Sequence, residues 1–228
     1  MSGAAVTVVF GAGTAVGAAA ATLLAQAGSR LVIGGDAAAG ALALALRAAG
    51  HDVLSIGADP LHADQVAQLV AQAVAHYGQI DGLYYHVEPT LDGDGALADI
   101  DPARFQALMA QNLKGVFHAV KHVLPQLASH AGALVLSAAP LARPGAATAY
   151  ECSVAGLVTF MKCVAYQYGP QGVRANAIVP RSPVAAGADA VDPAEAARLA
   201  LFLLSDDASF ITGTAMTAGG GAPSPWPA

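Results

Sequence analysis

The 228-residue sequence predicts a single α/β domain: a doubly wound parallel sheet with helices on both faces. Three observations predict it. Short, unbroken apolar runs of strand length alternate with helical runs along the whole chain, the pattern of strands buried on both faces and joined by crossover helices. The first of these runs, Val6 to Phe10, enters a glycine-rich turn, Gly11-Ala12-Gly13-Thr14-Ala15-Val16-Gly17, and an alanine-rich helical run, Ala18 to Ala27, follows at once. The length suits one full domain with a large core and is too short for two.

The elements follow in order. Arg30 to Ile33 is a second strand, ended by Gly34-Gly35-Asp36, and Ala37 to Ala49 is a helix closed by Gly50 as its C-cap. Asp52 to Ile56 is a third strand. After the break at Asp59-Pro60, a helix from about Ala63 to Tyr77 carries Val66, Leu69, Val70 and Val74 at helical spacing. Gly82 to Val87 is a fourth strand, and the polar segment Glu88 to Asp99 is a loop at its carboxyl end. Asp101-Pro102 starts the next helix, with aspartate as N-cap and proline in the first turn. Helix continues through Asn112 to Leu127, with Pro125 near its end. Ala133 to Ser137 is a fifth strand, Ala149 to Tyr168 a long helix and Arg174 to Val179 a sixth strand. Asp192-Pro193-Ala194-Glu195 is a capping box that opens a helix to Leu204, and Ala215 to Thr217 is a short last strand before a Gly/Pro-rich tail at about 222–228. No repeat and no linker divides the chain.

Composition narrows the function classes. Hydrophobic residues make up 55% and charged residues 11%, an apolar excess that is largely alanine and predicts compact layers plus a buried oligomer surface. A net charge of −6 without a basic run excludes nucleic acid and anionic membranes as expected partners. Cys152 and Cys163 lie in one predicted helix and read as reduced cysteines, and no signal segment or membrane-length apolar run is present, so a cytoplasmic protein is expected.

The opening turn carries the first chemical expectation. A glycine turn between strand and helix presents backbone N–H groups and a helix N-terminus at the strand's carboxyl end, which suits a phosphate. Gly11, Gly13 and Gly17 permit the tight bend and a close approach of backbone to ligand.

These residues, with others downstream, resemble the short-chain dehydrogenase/reductase family across nearly the whole chain. The turn is similar to that family's T-G-x-x-x-G-x-G loop, with Phe10 at the threonine and Ala15 at the middle glycine. Asn112-Leu113-Lys114-Gly115 matches an N-x-x-G segment, and Tyr150 follows Ser137 by 13 residues, the family's usual separation. Asn176 to Pro180 resembles the segment ending in Pro-Gly beside the nicotinamide, and Phe210-Ile211-Thr212-Gly213 the closing turn. The resemblance implies a Rossmann-like fold, a nicotinamide cofactor, a small carbonyl or alcohol substrate, and a homodimer or homotetramer built on the helices with Asn112 and Tyr150. It implies Tyr150 as general acid/base, Ser137 orienting the substrate oxygen and Asn112 supporting. Along the cofactor it places Gly11, Gly13, Thr14, Val16, Gly17, Asp36, Asp59, Val87 and Pro180, with Asp36 favouring NAD(H) over NADP(H) through a ribose hydroxyl.

Several positions depart from the family pattern. The lysine expected four residues after the tyrosine is Val154, on the same helix face but without charge. An unassisted phenol has a pKa of about 10, leaving roughly one part in a thousand ionised at neutral pH. The family's Asn-Asn-Ala-Gly is Tyr85-His86-Val87-Glu88, which puts a carboxylate in the cofactor's path; Pro60 removes a backbone N–H beside the adenine; and the Pro-Gly is Pro180-Arg181. His86 and Glu88, two apart on a strand end, point the same way and form either an acid/base pair or a solvated strand end. His118 and His122 have the i, i+4 spacing of a zinc pair but lack the acidic residue between them, so helix-face residues are expected and no metal. Arg143 and Arg181 read equally as solvated loop charges or as anchors for an acidic substrate. Three functions stay open: an NAD(H)-linked oxidoreductase with an altered site, a cofactor-independent non-redox enzyme reusing the crevice, and a catalytically dead member serving as a binding or assembly subunit.

Overall fold

The computed structural model describes residues 4–88, 92–139, 147–179 and 192–218. Seven parallel strands form one sheet in the order β3-β2-β1-β4-β5-β6-β7. They are β1 (Val6–Phe10), β2 (Arg30–Gly35), β3 (Val53–Gly57), β4 (Gly82–Val87), β5 (Ala133–Ala138), β6 (Arg174–Ile178) and β7 (Ala215–Met216). The chain winds outward from β1 to β3, then crosses back to β4 on the other side of β1. That reversal opens a crevice between the carboxyl ends of β1 and β4, where open α/β sheets bind ligands.

Two helical layers cover the sheet. The helices α3 (Ala63–Tyr77), α5 (Gly115–His130) and α6 (Thr148–Tyr168) pack on one face, against Val6, Val8, Phe10, Leu83, Tyr85, Leu134 and Leu136. On the other face lie α1 (Ala15–Gln26), α2 (Ala37–Ala48) and α7 (Pro193–Leu204), over Val9, Leu31, Ile33, Tyr84 and Val135. Alternate residues of each strand therefore face alternate layers, and both faces are apolar. The remaining helix, α4 (Pro102–Met109), is capped by the Asp101 carboxylate, which accepts from Ala103 N at 2.7 Å and Arg104 N at 3.2 Å.

Three elements differ from the sequence reading. Helix α1 starts at Ala15 rather than Ala18, because the Thr14 hydroxyl caps it by accepting from Gly17 N at 3.0 Å. Strand β2 runs on through Gly34 and Gly35, which pair in register with Ile56 and Gly57 of β3; the glycines do not end the strand. Gly34 is required there, since a Cβ would come within 2.7 Å of both the Leu69 and Phe10 side chains. Between α4 and α5 the helix widens into one π-helical turn, Ala110–Lys114, and carries on to His130. Such bulges occur frequently at functional sites, and Asn112 sits in this one.

Candidate functional site

The glycine turn is built as the sequence implies, but its glycines do different work. Gly11 has a φ of +83°, and a Cβ there would lie 2.5 Å from the His86 carbonyl oxygen, so only glycine lets the turn bend over the end of β4. A Cβ on Gly17 would fall 1.9 Å from the Gly11 carbonyl oxygen. Gly17 thus seats α1 on its own turn; neither it nor Val16 lines the crevice.

That crevice is a cleft of about 530 Å³ over the carboxyl ends of β1, β2, β3 and β4. Gly11, Gly13, Thr14, Asp36, Asp59, Val87 and Asn112 all line it, with Pro60, Tyr85, His86 and Glu88. Among the described lining residues there are three carboxylates, Asp36, Asp59 and Glu88, and no lysine or arginine. Asp36 caps α2, its Oδ1 accepting from Ala38 N and Ala39 N at 3.1 Å each. Asp59 closes a turn on Leu61 N at 2.9 Å and lies 3.6 Å from His62. Pro180, and with it Arg181 and Arg143, lie outside the described residues.

The predicted catalytic residues do not converge. Tyr150 packs in the α3/α5/α6 layer and its hydroxyl donates to the Ala139 carbonyl at 2.6 Å. Burial first, and then the negative charge of Glu88, push its pKa well up. Ser137 follows Leu136 in β5 and so faces the opposite layer, where it is fully buried beside Tyr84. The expected Ser137–Tyr150 pair is not formed, because the 13-residue separation fixes the distance along the chain but not the face of the sheet. Tyr84 keeps a buried hydroxyl without a hydrogen-bond partner: Ser137 lies near it, short of bonding geometry. Asn112 is buried in the π turn and donates to Ser153 Oγ at 3.0 Å, which donates in turn to the Tyr150 carbonyl at 2.6 Å. It therefore reaches, through Ser153, the backbone of the helix turn that carries Tyr150. Val154 is half-buried against the same apolar cluster as Tyr150, and Lys114 lies in a separate groove with Leu113, Phe117 and Phe160.

Ser137 instead belongs to a different constellation. His86 pairs in register with it across β4 and β5. The ring bridges two groups, with Nδ1 3.1 Å from Ser137 Oγ and Nε2 3.0 Å from Glu88 Oε2. The His86 side chain is fully buried, whereas that of Glu88 is 52% exposed and turns into the cleft. A chain of polar groups thus runs from the cleft wall into the sheet. Of the two readings of His86 and Glu88, the solvated strand end does not describe a buried imidazole with both nitrogens engaged. His118 is accounted for separately: its Nδ1 lies 2.9 Å from the Pro60 carbonyl oxygen, which ties α5 to the turn ahead of α3.

One positioning residue was missed in the segment read only as a loop. Ala147 gives α6 no side-chain cap, and Asp94 supplies one from 55 residues away. Its carboxylate accepts from Ala149 N at 3.0 Å and Tyr150 N at 2.9 Å, while Thr148 bonds to the Gly95 carbonyl through both N–H and hydroxyl. A capping carboxylate contributes typically about 1–2 kcal/mol. Asp94→Ala is expected to destabilise the protein by about that amount, read as a lowered urea midpoint at unchanged m-value. A wild-type midpoint would mean that water replaces the cap at no cost.

Known proteins share this architecture. The family model for short chain dehydrogenase matches residues 5–191. The cis-4-hydroxycyclohexanecarboxylate dehydrogenase of Sinomonas cyclohexanicum is 34% identical over 238 aligned positions, covering 95% of each chain. The 2-(S)-hydroxypropyl-CoM dehydrogenase 3 of Xanthobacter autotrophicus is 30% identical over 72% of this chain and 74% of that one. A solved 3-ketoacyl-ACP reductase from Sinorhizobium meliloti superposes with a TM-score of 0.86 at 25% identity, over 95% of this chain and 98% of the other. With the strand order, the glycine turn and the π-turn asparagine in place, these matches settle the assignment: the chain belongs to the short-chain dehydrogenase/reductase family of oxidoreductases.

Proposed function

We propose that this protein is an NAD(H)-linked oxidoreductase acting on a small carbonyl or alcohol, with the cleft as its nucleotide site. The observation that carries the reading is the meeting of the glycine turn, the α1 N-terminus and Asp36 in one cleft at the β1/β4 reversal. The residues fit an adenosine and a phosphate there. Gly11 and Gly13 bring bare backbone to the cleft wall, and the N-terminus of α1 favours negative charge there. Asp36 uses Oδ1 for its cap, and its second oxygen is suited to a ribose hydroxyl and opposed to a ribose phosphate. A bound nicotinamide would supply the hydride to a carbonyl or accept it from an alcohol. The chain's own residues would handle the proton: Tyr150, once its hydroxyl leaves Ala139, with Asn112 and Ser153 holding its backbone. Ser137, facing the other layer, is not the substrate-orienting group in this arrangement.

A homodimer or homotetramer fits the surface formed by α5 and α6, where Phe117 is exposed beside Leu113, Gly156 and Phe160. Two exposed free cysteines, Cys152 and Cys163, suit a reducing cytoplasm. Titration with NADH and NADPH by calorimetry tests the main reading. NADH should bind more tightly than NADPH by about tenfold or more, and Asp36→Ala should narrow that gap. Failure of both to bind at millimolar concentration would remove it. Turnover is then sought on a panel of small alcohols and carbonyls that includes cis-4-hydroxycyclohexanecarboxylate, the compound named for the Sinomonas relative. A second reading, a cofactor-independent proton-transfer enzyme, is favoured by the Ser137–His86–Glu88 chain; turnover without any dinucleotide would select it.

A further inference from the structure

The cleft presents two contradictory surfaces to a dinucleotide. On one wall the turn Gly11 to Thr14 opens α1 and presents the positive end of that helix, which attracts a diphosphate. On the other, Glu88 extends a carboxylate into the same cleft, directly beyond His86, against whose Cβ and carbonyl the Gly11 turn is packed. A bare carboxylate beside a diphosphate is a like-charge contact, and no lysine or arginine lines the cleft among the described residues to offset it.

The compensating group is the buried imidazole behind Glu88. In its neutral form, one ring nitrogen of His86 donates to Glu88 while the other accepts the Ser137 hydroxyl proton; as imidazolium it donates at both nitrogens, and the pair carries no net charge. Ser137 accommodates both states, because a hydroxyl can donate or accept. The hydrogen bonds of the pair are therefore satisfied with or without one extra proton. Other titratable groups facing it are Tyr150 from α6, which senses the Glu88 charge, and Tyr84 behind Ser137. Asp36, Asp59 and Tyr85 share the cleft, and all of them can only add negative charge or none.

We infer that Glu88, braced by His86, determines how much of a dinucleotide the cleft accepts: the adenosine end enters freely, whereas the diphosphate enters together with a proton taken up by the His86–Glu88 pair. This rests on the nucleotide reading of the cleft and adds a proton to its binding equilibrium. Dinucleotide affinity accordingly falls as pH rises, and adenosine affinity does not.

The test is calorimetric titration of the full chain with NADH and with adenosine at pH 6 and pH 8, each in two buffers of different ionisation enthalpy. Wild type should lose about fivefold or more in NADH affinity between these pH values and take up a fraction of a proton on binding, as linkage requires. Glu88→Gln keeps a partner for the ring but removes the charge; it should bind NADH about tenfold more tightly at pH 8 and lose the pH dependence. Adenosine should bind both proteins alike at both pH values. His86→Asn should bind NADH weakly at either pH, since its carboxylate can no longer be neutralised, and circular dichroism establishes that the variant is folded. The inference alone is overturned by an NADH affinity that is flat with pH in wild type, or by a Glu88→Gln change of less than twofold. An equal gain for adenosine in Glu88→Gln also overturns it, because the diphosphate would then not be what Glu88 opposes. If neither wild type nor Glu88→Gln binds NADH, the dinucleotide reading falls and takes this inference with it.

Discussion

Gly17→Ala is expected to destabilise the protein on the order of 3–5 kcal/mol, because the added methyl group meets backbone at the shortest distance of any described glycine. The new Cβ would lie 1.9 Å from the Gly11 carbonyl oxygen, 2.6 Å from its carbonyl carbon and 3.1 Å from Ala12 N. None of these atoms can move without loss. The Gly11 carbonyl accepts from Thr14 N at 3.1 Å and from the Thr14 hydroxyl at 2.9 Å, and Thr14 in turn caps α1 through Gly17 N. Relieving the clash would break that closed set of bonds and push the turn off the end of β4, where Gly11 already touches His86. Ordinary overpacking in an apolar core costs about 1–3 kcal/mol because side chains re-pack; here the obstacle is backbone on both sides. Gly40→Ala provides the opposite case. Gly40 lies inside α2 with nothing within 4 Å of where the new methyl would sit, so alanine should stabilise by about 0.5–1 kcal/mol through helix propensity and unfolded-state entropy. Urea midpoints of the two variants should move in opposite directions. A wild-type midpoint for Gly17→Ala would show that the turn is softer than its hydrogen bonds imply.

The same turn shows what the sequence made legible. Strand, glycine bend and helix were readable because each is a local pattern: β-favouring residues, a residue tolerant of positive φ, and an alanine-rich run. Asn112 and Tyr150 were legible through resemblance, and both occupy the expected helices. The face taken by Ser137 was not. A strand buried on both sides, such as Leu134-Val135-Leu136-Ser137, carries no inside–outside alternation from which parity could be read. The direction of His86 and Glu88 was legible from their two-residue spacing, but their third partner depends on the register between β4 and β5, which nothing local encodes. The Asp94 cap escaped for a similar reason: N-caps are recognised as sequence neighbours of the helix they start, and this one arrives from a distant loop. The extension of β2 through two glycines was also a tertiary effect, since propensity argues against it and pairing with β3 imposes it.

Val154→Lys is expected to raise turnover on the panel, with NAD+ for the alcohols and NADH for the carbonyls, by about 100-fold, the lower end of what a positioned acid/base contributes. Val154 lies one helical turn after Tyr150, on the face of α6 that packs against the same cluster, and is only half-buried. A lysine stem can follow that surface and bring its ammonium toward the phenol and the cleft. At present burial raises the Tyr150 pKa most and the Glu88 charge raises it further, while the hydroxyl proton is held by the Ala139 carbonyl. An ammonium nearby reverses the sign of the local field, favours the phenolate and moves the pKa toward the working pH. Glu88, which now opposes the phenolate, would become a partner for the new charge. For alcohol oxidation, where the phenolate is the base, the rise of kcat with pH should shift to lower pH in the variant. Val154→Met, similar in length but uncharged, should leave turnover within about twofold of wild type. Adding Tyr150→Phe to Val154→Lys should erase the gain, because the lysine acts through the phenol. An unchanged rate in Val154→Lys, with the cofactor still bound, would remove Tyr150 as the acid/base of this fold and favour the His86–Glu88 pair, which also reaches the cleft.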